Sequence, residues 1–175
     1  MTQEPEVESL GKFLNEFNKE SDRGSVLLAA SILDEWLKEI LEAYLIDDKS
    51  TETLLNGFSA PLGTFSSRAA MAHSLGLIMP HEYKEISVLR KIRNEFGHSW
   101  DGVSFQSAKV ASLLEQLPWL GPDIAERTPR SKFNFFVAIF LCDLLYRKRL
   151  VSKTKLQKRT WGNTARNSII GHSSK

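Results

Sequence analysis

The segment Arg93-Asn94-Glu95-Phe96-Gly97-His98 sets a permanent cation and a titratable imidazole close together at the end of one apolar repeat. Such a pair is suited to work on a phosphate, because a guanidinium holds negative charge and an imidazole exchanges protons near neutral pH. The repeat leading into it, Pro80, Tyr83, Ile86, Leu89, Ile92 and Phe96, has helical spacing, with Pro80 fit for a first turn. Counted at about 100° per residue from Ile86, Arg93 falls inside the apolar stripe. A guanidinium there must find a partner or line a cleft, since an unpaired buried charge is costly.

Nearly every other element that would position this pair is also helical in period. Leu10, Phe13, Leu14 and Phe17 make the face of a first helix, with a break expected from Ser21 to Gly24. A longer second helix carries the stripe Val26, Ala29, Leu33, Trp36, Leu37, Ile40 and Tyr44. One or two turns are expected over Thr51 to Leu55, and Pro61 with Gly63 marks a loop between Phe58 and Phe65. Thr64, Ser66 or Ser67 can cap the next helix, which runs through Leu75 with Gly76 near its end. Ser104 is a candidate cap for a helix to Leu117. Thr128 before Pro129 opens a last long helix that turns basic toward its C-terminus. With no alternating run longer than Val103 to Phe105, the expected class is all-α. A single multi-helix bundle should span residues 1–152, followed by an irregular, flexible basic tail over 153–175.

Composition is that of one folded domain: 175 residues, 42% apolar, 25% charged, formal net charge +2. The charge is unevenly spread. Met1 to Asn56 holds 13 acidic and 5 basic residues, whereas no acidic residue follows Asp143 and 9 basic ones do. An acidic surface and a basic tail of this kind can pair with each other, with a second subunit, or with a polyanion. The single Cys142 provides neither a disulfide framework nor a cysteine metal site within one chain, which suits a reducing compartment. Met1 to Glu8 is acidic and has no apolar core, unlike a signal peptide. Phe133 to Tyr146 is too short and too interrupted by Asn134 and Asp143 to span a bilayer, so no membrane association is expected.

Pro61-Leu62-Gly63, Phe65-Ser66-Ser67-Arg68, Leu75-Gly76-Leu77-Ile78, Glu82-Tyr83, Arg93-Asn94, His98 and Ser104-Phe105 stand in an order that resembles the centre of the mannitol operon repressor family. The match covers roughly Ala60 to Val110. The resemblance implies a cytoplasmic, all-helical bacterial regulator that represses mannitol uptake and use. A helix-turn-helix is only half present: Ala72 and Gly76 fit its first half, but Pro80 follows too closely. Glu82 and Glu85 would also set the wrong charge against phosphates. Repression through a protein partner is therefore the expected route, with weak nucleic-acid contact by the basic tail as a lesser possibility.

Arg93, Asn94 and, after three more positions, His98 also resemble the motif of the HEPN superfamily, many of whose members are metal-independent ribonucleases. In that alternative His98 takes the proton from a ribose 2′-hydroxyl, Arg93 stabilises the phosphorane and Asn94 orients one of the two. Side chains five residues apart diverge by about 140° on an ideal helix, so the helix would have to end between them, at Gly97. The plainer alternative pairs Arg93 with Glu39 or Glu42 of the second helix and lets His98 cap a carbonyl.

The remaining constellations are weaker. His73, His81, His98 and His172 lack paired spacing, so no metal is expected, and no nucleotide or cofactor fingerprint occurs. Pro61-Leu62-Gly63-Thr64 can hold a ligand but is better suited to a rigid connection between helices, with Arg68 the nearby residue able to reach an anion. Trp100 and Trp119 can seal the core edge or stack on a ligand. Phe133, Phe136, Val137, Phe140, Leu141, Leu144 and Leu145 cover more than one helical face, so this helix is either central to the bundle or buries a second face against another chain, and a homodimer is favoured. The candidate functional cluster is Pro61, Leu62, Gly63, Arg68, Arg93, Asn94 and His98.

Overall fold

Helix α2 (Asp22–Tyr44), about 35 Å long at 1.5 Å per residue, is the axis on which the rest is assembled. The computed structural model describes residues 4–98, 102–123 and 126–162. Among these the order is α1 (Pro5–Lys19), α2, α3 (Lys49–Leu55), α4 (Phe65–Ser74), α5 (Pro80–His98), α6 (Ala108–Leu114), α7 (Pro129–Leu144) and α8 (Arg147–Ser152). No strand occurs among the described residues, so the fold is all-α. Every helix except α6 packs against α2, and α5 is flanked by α4 and α6. The α2 stripe explains this centrality: Val26, Ala29, Leu33, Leu37 and Ile40 are fully buried, and small Ser25, Ala29 and Ala30 let neighbouring backbones come close.

Local chemistry sets the helix ends. Ser21 accepts from Gly24 N and starts α2 at once, so the expected break from Ser21 to Gly24 shrinks to a single cap residue. Thr64 caps α4 in a reciprocal box with Ser67, and Thr128 caps α7. Helix α4 ends in a Schellman turn: Leu77 N donates to Ala72 O, Gly76 N donates to His73 O, and Gly76 adopts φ +70°.

Two expected helices are shorter than their sequence pattern. Helix α6 is capped at Ser107, not Ser104, because Ser107 Oγ accepts from Ser104 N and draws that segment into a turn. The last long helix divides at Tyr146, so its basic end is the separate α8. Arg147 there makes a bidentate pair with Glu82 (2.7 and 3.0 Å) and donates to Leu77 O at 2.8 Å.

The apolar surface of α7 is used within the chain. Phe133, Phe136, Val137, Phe140, Leu141 and Leu144 are all buried, and Phe133 reaches Phe17 of α1 and Phe105 before α6. A homodimer would thus have to be built on some other face. The charge gradient is also spent partly inside the molecule: Lys148 lies 3.4 Å from Glu39, Arg149 lies 3.7 Å from Glu4, and Lys158 contacts Asp48. Leu156 N donates to Tyr44 O at 2.7 Å, so the tail is held against the α2–α3 corner as far as Lys158. Beyond residue 162 the tail lies outside the described residues. No helix among them is long and apolar enough to cross a membrane.

Candidate functional site

The bend before α4 is held by its own backbone and by one buried arginine. Leu62 N donates to Leu54 O (2.8 Å) and Gly63 N donates to Ala60 O (2.9 Å). A Cβ at Gly63 would stand 2.9 Å from that same Ala60 oxygen, so the turn has no room for a side chain there. Leu62 is buried, while Pro61 stays exposed. Arg68, 9% exposed, donates from Nε to Leu62 O (2.9 Å) and from Nη2 to Leu55 O (3.4 Å). Its Nη1 lies 2.8 Å from Asp34 Oδ1, an ion pair without the alignment of a hydrogen bond. The anion that Arg68 reaches is therefore part of the fold. Pro61-Leu62-Gly63-Thr64 forms the rigid connection between α3 and α4.

Helix α5 positions Arg93 and His98. It is anchored at its start by Glu82, 2% exposed, which accepts from Met79 N (2.6 Å) as well as from Arg147. At its far end Phe96 is fully buried and meets Phe105 edge-on at 5.6 Å. Arg23 of α2 donates to the Phe96 carbonyl, one of the groups a helix end leaves without an internal partner. Held this way, α5 runs straight through Gly97 to His98. The expected break at Gly97 does not occur, and Arg93 and His98 leave one continuous helix about 140° apart in projection.

Arg93 is exposed, and its Nη1 donates to Asn94 Oδ1 at 3.3 Å. Glu39 and Glu42, its expected partners, pair instead with Lys148 (3.4 Å) and Lys38 (3.8 Å). Arg93 lines a cleft of about 450 Å³ between α2, α4 and α5. Ser31 and Asp34 form its α2 wall, Gly63 and Ser66 its α4 wall, and Arg90 shares the α5 wall with Arg93. The positive end of the α4 dipole faces the same space. His98 is exposed and is not among the residues lining the cleft, and no hydrogen bond to a carbonyl is formed by it among the described residues.

The predicted cluster therefore separates into three parts. Pro61, Leu62, Gly63 and Arg68 build the bend, Arg93, bonded to Asn94, faces the cleft, and His98 stands apart. Arg90 is missing from the predicted cluster, although its i,i+3 spacing to Arg93 placed both on one side of α5 and was the signal available. Asp34 and Ser31 had no such signal, because only the packing of α2 against α4 brings them there.

A second hollow, about 560 Å³, lies between α1, α2, α7 and α8. It is larger, yet both cations on its walls are already paired, Lys148 with Glu39 and Arg149 with Glu4. Trp119 packs edge-on against Phe135 (5.6 Å) under Arg127, sealing the bundle edge, and Trp100 lies outside the described residues. Among the described residues no three metal-binding side chains come together.

No protein-family model matches this sequence. No curated protein matches it either. Among solved structures, the chain is similar to one in the X-ray structure of the MtlR-HPr complex from Escherichia coli. The TM-score is 0.55 and the identity 22%, covering 84% of this chain and 98% of that one. At that identity the likeness establishes a shared fold, an all-helical scaffold over nearly the whole length of the solved chain.

Proposed function

We propose that this protein is a cytoplasmic transcriptional regulator of the mannitol-repressor type, acting by docking a protein partner rather than by reading DNA with a helix-turn-helix of its own. The observation carrying this reading is the likeness to a chain solved in a complex with another protein, MtlR with HPr. It joins the ordered resemblance over Ala60 to Val110.

The α4–turn–α5 unit argues in the same direction. A recognition helix presents its first-turn side chains to base edges. In α5, Glu82 is instead buried under Arg147, and Tyr83 stacks on His73 of α4 at 4.5 Å. The reason differs from the one the sequence suggested: Glu82 is turned inward and confronts nothing outside.

The test is a pull-down with the full chain from nuclease-treated native extract. A protein retained after nuclease treatment is expected. Tight, sequence-preferring operator binding by the purified chain alone at physiological salt would overturn the reading.

The ribonuclease alternative keeps Arg93 beside Asn94 through their 3.3 Å bond. It needs an imidazole on the same phosphate, which a straight α5 does not provide within one chain. Metal-free incubation with RNA should give the same background for wild type, Arg93→Ala and His98→Ala. Cleavage by wild type that both substitutions abolish would restore the alternative.

A further inference from the structure

Arg90 and Arg93 differ from five other arginines of the helical body in what surrounds them. Arg68, Arg127, Arg130, Arg147 and Arg149 each lie within 4.0 Å of a carboxylate. Arg90 and Arg93 have no carboxylate that close among the described residues, although they line the same cleft. Asp34, the carboxylate on the opposite wall, is held by Arg68 at 2.8 Å. Glu95, the nearest acidic neighbour in sequence, is drawn to Lys109 at 2.6 Å. The i,i+3 spacing sets the two Cα atoms about 4.5 Å apart along the helix axis, on one side of α5. The Asn94 contact occupies one donor of Arg93, and a guanidinium has five.

We infer that this cleft is the docking point for an acidic side chain of the partner protein, a Glu or Asp set beside an apolar residue. The inference rests on the protein-docking reading and deepens it. Charge complementarity requires an anion, and two guanidinia present paired donors that match the two oxygens of one carboxylate. The cleft is not purely polar. Leu27, 38% exposed, and the half-buried Phe65 lie on its walls, and an apolar neighbour of the carboxylate would cover them. A nucleic-acid backbone repeats phosphates along a track and brings no aliphatic group for Leu27, so it fits these walls less well.

The test follows the arginine Nε–H and backbone resonances of the full-length ¹⁵N-labelled chain during titration with acetyl-Leu-Glu-Leu-amide. Saturable shifts at Arg90, Arg93 and Ser66 are expected. The Gln analogue of the peptide, or the Arg90→Met/Arg93→Met double variant, should bind at least about tenfold more weakly, as loss of a charge-assisted pair requires. Lys12→Met on α1 should bind as wild type does. Absence of saturation at the two arginines, equal binding of the Gln analogue, or tighter binding of a 12-nucleotide oligouridylate to the same resonances would each overturn the assignment. The nuclease-treated pull-down separates the two levels. A double variant that keeps the partner at wild-type yield removes this cleft and leaves docking intact, whereas wild type that retains no protein removes docking itself.

Discussion

Arg93 lines the cleft, Arg68 pairs with the cleft-lining Asp34 without lining it itself, and the two have opposite relations to the fold. Arg68 is buried, with two carbonyl oxygens and the Asp34 carboxylate around it. Arg93 is exposed, and its single described contact is the neighbouring Asn94. The first guanidinium completes a bend and the second remains available. In a molecule whose larger hollow has both of its cations paired with carboxylates, the unmatched cations distinguish a binding wall from a structural joint.

The contrast can be broken by removing one cation at a time, and the largest effect is expected at the most buried pair. Arg147→Met strands Glu82, which is 2% exposed, and should cost about 3–5 kcal/mol in urea denaturation. Arg68→Met leaves Asp34 and two carbonyls without their donor, but Asp34 keeps 31% exposure, so a smaller loss of about 2–3 kcal/mol is expected by the same measurement. Arg93→Met should change stability by less than about 0.5 kcal/mol, as surface substitutions do, while removing anion binding. A destabilisation of Arg93→Met comparable to that of Arg68→Met would erase the distinction.

The smallest effect concerns the tail. Contact with Lys158, then the Ser50 backbone and hydroxyl donors, lowers the Asp48 pKa from 3.8 to about 2. A depressed carboxylate pKa means the contact is fully present above pH 3.8 and is lost as pH falls through about 2. A carboxyl ¹³C titration should give that midpoint, and Lys158→Ala should move it back toward 3.8. An unchanged midpoint in the variant would mean that the tail does not rest on the α2–α3 corner.

Much of the scaffold was legible because helical period and caps agree. The stripes of α1 and α2 and the caps at Thr64 and Thr128 coincide with the structure, as does the turn at Gly76. Errors arose where long-range contacts override local signals. Gly97 reads as a terminator, but the burial of Phe96 and the hydrogen bond from Arg23 carry α5 past it. The apolar faces of α7 fit either a central helix or a subunit interface, and periodicity alone does not choose between them; α1, α2 and α6 pack on them here. Arg93 counts into the apolar stripe of α5 by period but is exposed in the structure, and the roles of Arg68 and Glu82 depend on Asp34 and Arg147, partners that periodicity cannot pair.

The most direct test of the account places a photo-crosslinking p-benzoylphenylalanine at Leu27, on the cleft wall, or at Lys12, exposed on α1, and irradiates the full chain in nuclease-treated native extract. Crosslinking of one protein species from position 27, lost when Arg90→Glu and Arg93→Glu are added and absent from position 12, is the predicted result. The same species crosslinked from position 12 but not from position 27, or undiminished by the two charge reversals, would contradict it.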